Sequence, residues 1–195
     1  MTPQKVTPQE VNEFWLNEVG PKGWYNATDE LDQQCRDRFL PAWERAEALS
    51  AEWQGTSEGA LAALILTDQL PRNMFRDDAR SFATDKLARR IASAALDAGF
   101  DLETEEPARQ FFYMSFMHSE EMGDQNRAVS LFEERMPGDN IRHARLHRDV
   151  IARFGRFPWR NAALGRETTP QERDFLDKGG YGAMVQGRLS LADDG

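Results

Sequence analysis

The sequence has one cysteine, Cys35, so no intrachain disulfide can form. That excludes the disulfide-stapled class of small secreted domains and fits a reducing, cytoplasmic setting. Long apolar runs are also missing. The longest, Ala60-Leu61-Ala62-Ala63-Leu64-Ile65-Leu66, is far short of the roughly 20 residues needed to span a bilayer. The opening Met1-Thr2-Pro3-Gln4-Lys5 lacks the apolar stretch of a signal peptide. Positive charge is scarce. Lys and Arg number 24 against 33 Asp and Glu, a formal net charge of -9, which argues against nonspecific nucleic-acid binding and docking on anionic lipid. The β-branched alternation of strands is absent, as are a Walker loop, a dinucleotide fingerprint, a serine elbow and a linker rich in Gly, Ser and Pro. No motif calls for a cofactor.

What remains is helical. Thr7-Pro8-Gln9-Glu10 has an N-cap, a proline at the first helical position and a capping-box glutamate, and the tetrapeptide returns as Thr169-Pro170-Gln171-Glu172. Apolar positions recurring at three and four predict helices over about 8–19, 29–53 with a break or kink at Pro41, 57–69, 78–98, 105–122, 124–135, 140–154 and 170–178. The expected fold is all-α, with about eight or nine helices. With 195 residues, five Trp and twelve Phe, one large domain over 1–182 is expected, followed by a glycine-rich, loosely ordered tail over 183–195.

Two polar clusters interrupt this pattern. Asp68-Gln69-Leu70-Pro71-Arg72-Asn73-Met74-Phe75-Arg76 follows the most apolar helix, and Pro71 is expected to end that helix in a tight turn. In Arg153-Phe154-Gly155-Arg156-Phe157-Pro158-Trp159-Arg160-Asn161, continuing to Arg166 and Glu167, four arginines meet one acid. Guanidinium forks bind carboxylate or phosphate in a bidentate way, and Phe157 and Trp159 are placed to wall a pocket. The competing reading is internal: arginines that pair with helix acids and pin the loop. Both clusters set Arg-Asn just after a proline, at Pro71-Arg72-Asn73 and Pro158-Trp159-Arg160-Asn161, a match short enough to arise by chance.

The chain has three histidines. His118 falls on a predicted apolar stripe, with Glu121 at i+3 as a partner for proton transfer. His143 and His147 share a helix face, but the glutamate of the metalloprotease signature is missing and Cys35 is alone, so no metal site is assigned.

Taken in order, Asp68-Gln69-Leu70-Pro71-Arg72-Asn73, Met117-His118-Ser119-Glu120, Phe154-Gly155-Arg156-Phe157-Pro158-Trp159-Arg160-Asn161 and Leu164-Gly165-Arg166-Glu167-Thr168-Thr169-Pro170 resemble the mostly bacterial family numbered 924 among the domains of unknown function. The resemblance covers about 8–182. It implies stacked antiparallel helices of tetratricopeptide-like type and brings no activity. Trp159 stands where the resemblance implies a histidine, so no proton-transfer role carries over to that position.

The residues together predict a polar pocket for a small anionic molecule, with Arg72, Asn73, Arg156, Arg160, Asn161 and Arg166 holding the ligand. His118, Glu121 and Asp68 would supply acid–base chemistry if the protein is an enzyme. The alternative is a tetratricopeptide-like scaffold for a peptide or protein partner, and the third reading is a metal-dependent hydrolase.

Overall fold

Threonine opens four of the helices. The hydroxyls of Thr7, Thr28, Thr56 and Thr169 accept the N–H three residues on, satisfying a donor that the first turn leaves orphaned. The two Thr-Pro-Gln-Glu segments both close full capping boxes, through Glu10 and Glu172. The structure, a computed structural model, describes residues 5–191. The protein is 72% helical, with no strand among the described residues and eleven helices when continuous runs are counted once. No helix there is long and apolar enough to cross a membrane.

The chain divides into two compact units, Met1–Ser115 and Phe116–Gly195. The first holds α1 (8–23), α2 (Asp29–Trp43), α3 (Ala46–Trp53), α4 (57–74), α5 (Asp85–Asp97), the short α6 (Phe100–Glu103) and most of α7 (Gln110–Met117). Its core is aromatic and aliphatic: Phe14 packs 5.0 Å from Phe39, Trp24 lies edge-on to Phe111 at 4.9 Å, and 60–66 is fully buried. The second unit holds α8 (Met122–Arg135), α9 (Asp139–Phe154), α10 (Pro170–Asp177) and α11 (Gly180–Val185). Only 136–138 separate α8 from α9, a connection so short that the pair must run antiparallel. Val150, Ile151, Phe157, Phe175 and Met184 form this unit's core.

The prolines act differently from expectation. Pro71 does not end the third predicted helix, because the turn before it widens to π geometry over Ile65–Gln69 and the helix continues to Met74. The Leu70 N–H reaches back to the Ile65 carbonyl. The Thr67 carbonyl, which Pro71 has no N–H to satisfy, accepts the Thr84 hydroxyl at 2.6 Å. The same device precedes Pro21, with a π segment over Glu13–Val19 and the Gly20 N–H on the Trp15 carbonyl. Pro41 sits inside α2 without breaking it, and the separation from α3 comes at Glu44 and Arg45. That separation, α6 and α11 account for eleven helices instead of eight or nine.

Two other boundaries move. The helix predicted over 105–122 spans only Gln110–Met117, and the next begins at Met122 with Gly123 inside it. The Gln125 amide ends the first of these by donating to the Met117 and Ser119 carbonyls at 2.7 and 2.6 Å. The expected loose tail over 183–195 begins inside α11, where Ala183 and Met184 are buried, and Leu189 and Leu191 pack on the core. The last four residues of the expected tail, 192–195, lie outside the described residues.

Candidate functional site

In the first unit the Asp68–Arg76 cluster forms two carboxylate-centred networks. Asp32, in the first turn of α2, accepts the Asn73 amide at 2.9 Å and the fork of Arg76 at 2.7–2.9 Å. Arg72 pairs with Asp85 at 2.7 Å, lies 3.6 Å from Asp68, donates to the Ser81 carbonyl and covers the Phe82 ring at 4.8 Å. Asp68 is buried and accepts the Gln69 amide. These bonds join the ends of three helices, which explains why polar side chains sit at the exit of the most apolar one.

The second unit repeats the chemistry. Glu172 of α10 is buried and takes four donors: Arg156 Nε and Nη2 at 2.6 and 2.8 Å, the Asn161 amide at 3.2 Å and the Thr169 N–H at 2.8 Å. The Arg156 guanidinium holds its carboxyl down at about 2, outweighing desolvation, with Thr169 assisting. Glu120 accepts Arg166 through both oxygens, at 2.7 and 3.0 Å, and the Phe157 N–H at 2.8 Å. Desolvation works against its charge, but the Arg166 and Phe157 donors hold Glu120 below the ordinary carboxylate range. Arg166 also donates to Asn161 Oδ1 and to the Phe157 carbonyl. Gly155 and Gly165, at φ 69° and 62°, provide the left-handed turns that let the loop fold back on itself.

Arg160 is placed differently. Its Nη2 donates to the His118 carbonyl at 2.9 Å and its guanidinium lies 4.8 Å above the Phe157 ring. Next to it is a cluster of rings. His147 has its ring centre 6.4 Å from His118, 4.5 Å from Tyr181, 5.5 Å from Phe157 and 6.1 Å from Trp159. His147 Nδ1 faces the His143 carbonyl at 2.9 Å; a carbonyl only accepts, so Nδ1 carries the proton of the neutral ring. Desolvation among these rings pushes His147 down to about 3, with His118 and Arg160 adding repulsion, although part of its edge still meets solvent. His143 pairs through Nδ1 with the Tyr181 hydroxyl at 2.6 Å and is lowered by desolvation as well. Trp159, at 38% exposure, opens the cluster to solvent.

The sequence-predicted residues thus fall into two sets: Asp68, Arg72 and Asn73 in the first unit, and His118, Glu121, Arg156, Arg160, Asn161 and Arg166 in the second. The second unit joins Arg156, Asn161 and Arg166 in one carboxylate network and puts Arg160 on the His118 backbone. Glu121 is not in helical register with His118. α7 ends at Met117, and Glu121 is exposed at the N-cap of α8. Sequence reasoning missed Asp32, Asp85, Glu120 and Glu172, the acids that receive the arginines. Glu172 carried a usable signal, since a capping-box glutamate is known to turn back on its own helix start. His147 and Tyr181 were missed as neighbours of His118. Among the described residues no three His, Cys, Asp or Glu side chains gather as a metal site.

The model of the family described as "Bacterial protein of unknown function (DUF924)" matches residues 11–180. A solved structure of a protein of unknown function from Agrobacterium tumefaciens, ATU0120, is 40% identical, covers 88% of this chain and 97% of its own, and superposes with a TM-score of 0.84. No curated protein matches the sequence. Spanning most of the chain and containing both proline-turn clusters, the family match shows that this protein belongs to the DUF924 family.

Proposed function

We propose that the second unit binds a small carboxylate or phosphate compound at the His118–His147–Trp159–Tyr181 cluster and carries out acid–base chemistry there. The observation that carries this reading is the pairing of two imidazoles, 6.4 Å apart, with one ring held neutral beside a guanidinium. Arg160 holds the anion with its planar fork, His118 exchanges a proton, and the aromatic rings exclude water from one side. Arg156, Asn161 and Arg166 serve as positioning residues, since their forks and amide engage Glu172 and Glu120 and fix the loop that carries Arg160. The antiparallel α8–α9 hairpin supports a tetratricopeptide-like arrangement of the helices, and the lone buried thiol of Cys35 fits a cytoplasmic setting.

A thermal-shift screen of anionic metabolites tests the reading, because a ligand that binds the native state raises its melting temperature by mass action. Binding of a hit is expected to fall about tenfold in Arg160→Lys, which keeps charge and loses the fork. His118→Gln is expected to melt normally and to lose turnover of that compound. A hit that stabilises wild type and Arg160→Lys equally overturns the assignment.

A further inference from the structure

A groove in the second unit shares no lining residue with the histidine cluster. Its volume is about 330 Å³, at the small end of ligand sites, and it runs between the C-terminal end of α9, one face of α10 and the segment 189–191. Phe154, Leu189 and Leu191 form its floor. They lean on the core without being fully covered by it, and Phe154 stacks obliquely on Phe175 at 5.1 Å. Around this apolar floor stand Arg153, Lys178 and Asp174, two cations and one anion, in a chain whose net charge is -9. Lys178 and Asp174 pair at 2.7 Å with both side chains more than half exposed, an arrangement that exchanges partners at little cost.

We infer that this groove takes a short amphipathic anion, an acyl or aryl carboxylate whose hydrocarbon part covers Phe154, Leu189 and Leu191 and whose carboxylate is held at the Arg153–Lys178 rim. The rim carries one more cation than anion, Arg153 and Lys178 against Asp174, so it favours a carboxylate over an amine of equal length, and the apolar floor favours a ligand with a chain over inorganic phosphate.

Ligand-observed NMR with octanoate, octylamine and inorganic phosphate as probes tests the inference on the full chain. Octanoate is expected to give saturation transfer and the other two none. Arg153→Gln combined with Lys178→Gln should weaken octanoate about fivefold or more, from loss of two surface-screened charges. Gln171→Trp changes an exposed helix position, leaves the core untouched and fills the groove, and it should remove octanoate binding while the melting temperature stays at the wild-type value. Equal binding of octylamine, or octanoate binding that survives Gln171→Trp, overturns the proposal.

Discussion

The two Arg-Asn turns, Arg72-Asn73 and Arg160-Asn161, use one arrangement for two purposes. In each, the asparagine amide and a second arginine converge on one buried carboxylate, Asp32 with Arg76 or Glu172 with Arg156. In each, the turn arginine covers an aromatic ring at 4.8 Å, Phe82 or Phe157. The carboxylates come from different places. Asp32 lies 41 residues from Asn73 and ties α2 to α4, whereas Glu172 lies 11 residues from Asn161 and closes a loop. The turn arginines engage different groups: Arg72 pairs with Asp85, while Arg160 donates to the His118 carbonyl and lies close enough to Glu120 to stabilise its charge. The first turn is thus a staple between helices, and in the function proposed above the second is a frame that presents one arginine and one histidine to the ring cluster.

Removing the two central acids should separate these roles. Glu172→Ala breaks a capping box and three side-chain bonds at once, leaving the buried Asn161 amide only the longer bond to Thr168 at 3.4 Å. A loss of about 3 kcal/mol is expected in urea unfolding, from the cap and the charged hydrogen bonds together. Asp32→Ala should cost less, about 1–2 kcal/mol, because the Arg76 side chain it releases is 43% exposed and turns to water. Equal losses would show that burial of the arginine does not decide the difference.

Acid titration sharpens the comparison within the second unit. Glu172 is held at about 2 against an ordinary 4.5, so its contribution is intact above about pH 4.5 and is lost as pH falls towards 2. His147 is also depressed, to about 3 from 6.5; the unfolded chain takes up the proton first, so stability falls as pH drops below 6.5. The windows therefore separate. Between pH 6.5 and 5 the wild type should lose about 1 kcal/mol more than His147→Gln, less than the full linkage of about 1.4 kcal/mol per pH unit because the ring edge reaches solvent. His143 contributes in the same direction to both proteins. Parallel stability curves over that window would show that His147 titrates normally in the fold.

Much of the helix pattern was legible in the sequence because caps act locally. Thr7 and Thr169 announce their own helix starts, and Gly155 announces the end of α9. Pro71 misled because its effect depends on what satisfies the Thr67 carbonyl, and that group, Thr84, comes from 17 residues away. The arginines of the candidate site stood out by composition, but their partners did not. Glu120 is 46 residues from Arg166, and Asp32 is 44 from Arg76, so nothing in local spacing joins them. The link between His118 and His147 was hidden for the same reason: α7 ends before His118, which takes its side chain off the predicted stripe and towards α9.

The same substitution made in both turns separates a staple from a turn that presents a ligand-binding arginine. Arg72→Lys and Arg160→Lys each keep the charge and lose the fork, and the measurement is the melting-temperature shift produced by an anionic hit that stabilises wild type. Arg72→Lys is expected to lower the unliganded melting temperature by a few degrees, for a cost of about 1 kcal/mol, and to keep the full ligand shift. Arg160→Lys should lose most of the ligand shift. A ligand shift retained in Arg160→Lys, or lost equally in both variants, would contradict that separation.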